Sequence, residues 1–137
     1  MTTEAEMKTE LYRDQFGILT QDEERGILEL QWLDGSAEMS EEDFKVWLER
    51  YAASGEEHRT PFMLIDARKF KYRPDAQIGA WRNERIIPRY NAAGVKKFAF
   101  LLPEGAPANA EPAPEAPATF PTGYFNSGEK IEQWFAG

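Results

Sequence analysis

Two short, unbroken apolar runs constrain this chain more than any other feature: Pro61-Phe62-Met63-Leu64-Ile65 and Phe98-Ala99-Phe100-Leu101-Leu102. Each has the length of a strand and no polar face, the form expected of a strand covered on both sides in a parallel sheet. Parallel neighbours need a crossover, and the residues between supply one. Pro74 opens a helical stretch there, Gly79 weakens it, and Pro88 kinks or ends it. An α/β fold follows.

Upstream, residues 16–20 and 27–33 read as two strands joined by the polar turn Asp22-Glu23-Glu24-Arg25-Gly26, an antiparallel hairpin expected at a sheet edge. In the second strand Leu28, Leu30 and Trp32 alternate with Glu29 and Gln31, so one face is apolar and the other more exposed. A helix follows, with Phe44, Trp47, Leu48, Tyr51 and Ala52 on one stripe. Ser40 and Asp43 are spaced to cap its start, Met39 to staple it, and Gly55 to end it. Residues 120–125 add a last strand, and Asn126 with Glu129 caps a terminal helix that turns Ile131, Trp134 and Phe135 inward. The expected architecture is a small mixed sheet packed with helices: antiparallel hairpin first, later strands parallel through right-handed crossovers. Residues 1–15 are expected to form an N-terminal extension and 16–137 a single domain. Within it, the Pro/Ala-rich tract 103–118 is expected to be a mobile insertion.

Composition narrows the function classes. The chain has 137 residues, a net charge of −8 and no cysteine, which excludes disulfides, thiolate nucleophiles and cysteine-ligated metals. His58 is the sole histidine, so no typical transition-metal site is expected, and no cofactor is implied. The acidic, polar start is unlike a secretory signal, and no apolar run approaches the ~20 residues of a membrane span. A cytoplasmic protein is expected. The overall acidity argues against nucleic-acid binding, which needs a basic face.

Against that acidic background, window 66–97 holds nine cations and three anions. It begins at the carboxyl end of the first apolar strand, where ligands of open α/β sheets bind. The candidate ligand-binding residues are Asp66, Arg68, Tyr72, Trp81, Arg82, Arg85 and Arg89. On one continuous helix, Arg82, Arg85 and Arg89 would share a narrow sector and converge on a phosphate or carboxylate. Alternatively they pair with the acidic first helix or solvate an exposed face. Phe70, Tyr72 and Trp81 flank this loop, either as the lining of a pocket for an apolar tail or as ordinary core. Asp66, at the strand end, either transfers protons or accepts hydrogen bonds that fix the loop after it.

The segments Phe62-Met63-Leu64-Ile65-Asp66, Ala93-Gly94-Val95-Lys96-Lys97-Phe98-Ala99-Phe100 and Tyr124-Phe125-Asn126-Ser127-Gly128-Glu129-Lys130-Ile131-Glu132-Gln133-Trp134-Phe135 resemble the SpoIIAA-like branch of the STAS superfamily, small bacterial domains also described as STAS/SEC14-like. The resemblance covers the chain from about Phe16, outside the Pro-rich tract, and implies the scaffold. In the anti-sigma-factor antagonists of that superfamily the matching strand ends in Asp followed by a phosphorylatable serine. Here Ala67, Arg68 and Lys69 follow Asp66, so the phosphoswitch residue is missing.

Three functions are compatible with these features. The first is a non-catalytic binding or regulatory domain that engages an anionic or lipid-like small molecule, or a protein partner, through residues 66–90. The second is a small hydrolase or isomerase with Asp66 as acid/base and Arg82 and Arg85 as oxyanion stabilisers. The third is a homodimer pairing exposed aromatics such as Trp32 or Trp81 across a two-fold axis.

Overall fold

The computed structural model describes residues 8–108 and 111–137. Its elements are β1 (Lys8–Arg13), β2 (Gly17–Asp22), β3 (Ile27–Trp32), α1 (Glu41–His58), β4 (Phe62–Asp66), α2 (Ala76–Arg85), α3 (Ile87–Ala93), β5 (Lys97–Leu101), β6 (Ala113–Pro114), β7 (Pro121–Phe125) and α4 (Gly128–Ala136), with a 3-10 turn at Asp34–Glu38. They build one seven-stranded sheet in the order β1-β2-β3-β4-β5-β7-β6. The strands from β3 through β4 and β5 to β7 are mutually parallel, and both flanks are antiparallel. The two apolar runs are the central pair, β4 and β5, as an α/β sheet requires.

Strand register sorts the side chains onto two faces. Leu28, Met63, Phe98 and Thr122 lie side by side, as do Leu30, Ile65, Phe100 and Tyr124. The buried residues of this face pack against α1, α2 and α3 in one core with Trp47, Leu48, Tyr51, Ile78, Ile86 and Tyr90. Helix α1 forms where its stripe predicts, started by a reciprocal capping box between Ser40 and Asp43. It runs past Gly55 to His58 and ends at Arg59 in the left-handed conformation. Gly55 lies inside the helix and does not end it; a Cβ there would stand 3.2 Å from the Met63 methyl, so α1 packs closely on β4 at this point.

The opposite face is covered unequally. Helix α4 packs Ile131 and Phe135 on Ala99 and Leu101, with Phe62, Leu64, Phe125 and Trp134 around them. A helix about 10 Å across covers two or three strands spaced ~4.8 Å apart. Among the described residues, no second helix covers the same face of β1, β2 and β3 beside α4.

Several local expectations are corrected. Residues 8–13, expected to belong to an extension outside the domain, form the edge strand β1, paired with β2 through a bulge between Glu10 and Tyr12. The α4 cap is Ser127, whose hydroxyl accepts from Lys130 N–H, while Asn126 donates its amide to the Ala106 carbonyl. Trp32 is 3% exposed and packs on Phe44, Trp47 and Phe70, so it offers no surface for a two-fold interface. The described part of 103–118 is tethered to its surroundings: Ala118 is buried, Asn91 donates to the Pro117 carbonyl, and Tyr124 donates to Glu115. No helix among the described residues is long and apolar enough to cross a membrane.

Candidate functional site

Asp66 ends β4 with its side chain on the half-open face, since it alternates with Ile65 of the main core. It is 3% exposed and accepts three hydrogen bonds from one residue: Arg68 N–H at 3.2 Å, Nε at 3.0 Å and Nη2 at 2.7 Å. The bidentate fork returns the chain on itself just after the strand and fixes the following loop. From there the loop crosses to the other side of the sheet. Phe70 and Tyr72 pack on Phe44, and the buried Ser36 hydroxyl donates to the Lys69 carbonyl and accepts from Lys71 N–H. Lys71 pairs with Asp34 at 3.0 Å and holds that carboxyl below its ordinary range through a hydrogen bond and charge attraction. Phe70 and Tyr72 thus complete an aromatic cluster with Trp32 and Phe44.

The remaining basic candidates lie on the helical side. Residue Ile86 separates α2 from α3, with Pro88 in the first turn of the second helix, so Arg82 and Arg85 belong to one helix and Arg89 to the next. Trp81, Arg85 and Arg89 line a shallow depression of about 370 Å³ together with Glu49. Arg89 is held by Glu56 in a second bidentate pair, at 3.1 and 2.6 Å. The guanidinium of Arg82 lies 5.9 Å from the Phe98 ring centroid, over the aromatic core. The structure therefore brings Trp81, Arg85 and Arg89 together, and Asp66 with Arg68, on different sides of the sheet; Tyr72 joins the aromatic cluster, and Arg82 lines neither hollow.

The more enclosed hollow is on the half-open face. Between α4 and the β2–β3 hairpin lies a groove of about 250 Å³ whose walls include Lys8, Asp22, Arg25, Glu29, Asp66 and Arg68. It adjoins a second, more apolar hollow of about 310 Å³ bounded by Ile27, Phe62, Phe135 and Ala136. Both hollows share Arg25, Ile27 and Glu132. Sheet register explains the gathering: Thr20 is opposite Glu29, Asp22 opposite Ile27, and Glu29 beside Leu64, which places these side chains on the face that also bears Asp66.

The charges in this groove are unequally satisfied. Asp66 is fully engaged by Arg68. Asp22, also 3% exposed, accepts Arg25 N–H through Oδ1 at 3.0 Å, but its Oδ2 receives no hydrogen bond; the nearest cation is Arg25 Nε at 3.7 Å. The same Arg25 reaches across the groove to the Glu132 carboxylate. Glu29 pairs, among the described residues, with Lys8 at 3.9 Å, and its carboxyl is pushed above the ordinary glutamate range by burial, with Asp66 adding and Lys8 and Arg68 opposing. Among the described residues no group of three or more His, Asp or Glu side chains is arranged to hold a metal ion.

No family model, no curated protein and no solved structure matches this chain. The site therefore rests on its own geometry. Lys8, Asp22, Arg25, Glu29 and Glu132 were not among the sequence candidates. The signal for them was the polar alternation Glu29 and Gln31 in β3, which marks an open face without saying which other strands share it.

Proposed function

We propose that this protein is a non-catalytic, STAS-like binding module of the cytoplasm, and that the groove beside α4 receives a small amphipathic, lipid-like molecule. The observation that carries the reading is the junction of a charged hollow and an apolar hollow at the shared residues Arg25, Ile27 and Glu132. One elongated molecule with a polar head and an apolar tail fits such a pair, because a few placed polar groups orient it while apolar walls supply affinity. The basic segment contributes Asp66 and Arg68 to the groove wall. The parallel β3–β4–β5 centre following an antiparallel hairpin agrees with the STAS-like scaffold that the sequence resembles.

The test is ligand-observed NMR with a library of small amphiphiles against three proteins: wild type, Thr20→Trp, which fills the charged hollow from its floor, and Arg85→Ala on the opposite side. Binders lost in Thr20→Trp and retained in Arg85→Ala are expected. A library without binders, or binders that ignore Thr20→Trp, would overturn the assignment.

A further inference from the structure

Resting on the reading that this groove binds an amphipathic molecule, we infer that its occupant is cationic: a primary alkylammonium whose head lies between Asp22 and Glu29 and whose chain enters the hollow between Ile27, Phe62 and Phe135.

The unmet charge in the groove is negative. Arg68 is committed to Asp66 through two nitrogens, and Arg25 contacts Glu132. Lys8, the remaining basic group in the wall, lies 3.9 Å from Glu29. On the acidic side, Asp22 Oδ2 is shut from solvent without a hydrogen bond, an unusual state for a buried carboxylate, which normally has its lone pairs engaged. Glu29 is half-compensated in the same hollow, and burial makes its charged form costly.

A ligand ammonium supplies what neither pair provides, a compact cation within hydrogen-bond reach, since Lys8 Nζ stands 3.9 Å from Glu29 and Arg25 Nε 3.7 Å from Asp22 Oδ2. Arg25 covers Asp22 Oδ2 from 3.7 Å without bonding it, while its other end holds Glu132. A turn of the guanidinium toward Glu132 opens Oδ2 to the head group and keeps that pair. The alkyl chain then passes the Ile27 side chain, which borders both hollows, into the apolar compartment. A carboxylate or phosphate head in the same place would face Asp22 and Glu29 and would have to displace an existing pair to find a cation. The net charge of −8 favours approach of the cation as well.

The experiment is calorimetric titration of the full chain with hexylammonium, hexanoate and hexanol at one ionic strength. Hexylammonium is expected to bind at least about tenfold more tightly than hexanoate, the factor expected of a charge-assisted hydrogen bond. Asp22→Asn and Glu29→Gln are each expected to weaken hexylammonium by roughly the same factor and to leave hexanol unchanged. Should Asp22→Asn fail to fold, Glu29→Gln carries the comparison alone. Ala136→Trp, an exposed position at the mouth of the apolar hollow, is expected to weaken all three probes. Hexylammonium affinity should also rise with pH from the ordinary glutamate range through the raised Glu29 value, while hexanol stays flat. Equal or tighter hexanoate binding, or charge variants without effect, overturns the cationic assignment while Ala136→Trp sensitivity leaves the groove reading standing. Absence of binding by all three probes overturns the cationic assignment too, and the library screen above then decides the groove itself.

Discussion

The ion pair Asp66–Arg68 predicts an asymmetry between two alanine substitutions. Its partners differ in solvent access: the Asp66 side chain is 4% exposed and that of Arg68 54%. Arg68→Ala leaves a buried carboxylate whose remaining donor is the backbone N–H of residue 68, at 3.2 Å. An uncompensated buried charge of this kind costs about 2–4 kcal/mol. Asp66→Ala frees a guanidinium that already reaches water and rehydrates, so only the charge-assisted hydrogen bonds are lost, about 1–2 kcal/mol. The double variant is expected to match Asp66→Ala, because removing the carboxylate also removes what Arg68→Ala leaves unpaired. Urea unfolding followed by tryptophan fluorescence measures all four proteins, and an unchanged dependence on urea confirms that the comparison is of stabilities. Equal costs, the reverse order, or a double variant at the sum of the singles would refute this account of the pair.

Tyr51 is fully buried, and its hydroxyl lies 3.0 Å from the Leu28 carbonyl and 2.9 Å from that of Leu64, tying α1 to two adjacent strands. Tyr51→Phe is expected to cost about 1–2 kcal/mol by urea unfolding, and a change within error would show that the two carbonyls do not need it. At Gly35 a Cβ would stand 2.1 Å from the Gln15 carbonyl oxygen, a backbone atom that cannot step aside cheaply. Gly35→Ala should cost about 2–3 kcal/mol, and an unchanged melting temperature would contradict that close approach. The raised Glu29 carboxyl means that the folded state holds its proton more tightly than the unfolded chain, so this group makes stability fall as pH climbs from the ordinary glutamate range through the raised folded value. Glu29→Gln lacks that descent, and its stability relative to wild type should rise with pH over the interval and level off above it; parallel pH profiles would refute the burial.

What could be read from the sequence was what apolar spacing encodes. The runs that became β4 and β5, the α1 stripe and the Ser40 cap each follow from local pattern. Strand β1 had no such signal: Lys-Thr-Glu-Leu-Tyr-Arg is exposed almost throughout, and backbone pairing with β2 leaves no mark in side-chain alternation. Its charges suit an edge that must not recruit further strands. The basic window was plain as composition, yet charge density does not say on which side of a sheet a guanidinium emerges. The loop after β4 sends Arg68 to one face and Phe70 and Tyr72 to the other, while the break at Ile86 divides the arginines between two helices. The groove was hidden for a related reason. Asp22, Glu29 and Asp66 come from three strands, and only the registers Asp22 with Ile27 and Glu29 with Leu64 place them on one surface. Among the described residues, α4 is the helix packed on this face, and it lies toward β5 and β7 and away from these carboxylates.

Amide chemical-shift mapping of the labelled chain, titrated with the tightest binder from the amphiphile library, tests the central claim most directly. The predicted perturbations cluster at Thr20, Asp22, Ile27, Glu29, Leu64 and Ile131, the floor and walls of the groove beside α4. Perturbations centred instead on Trp81, Arg85 and Arg89 would place the ligand on the helical side and contradict the claim.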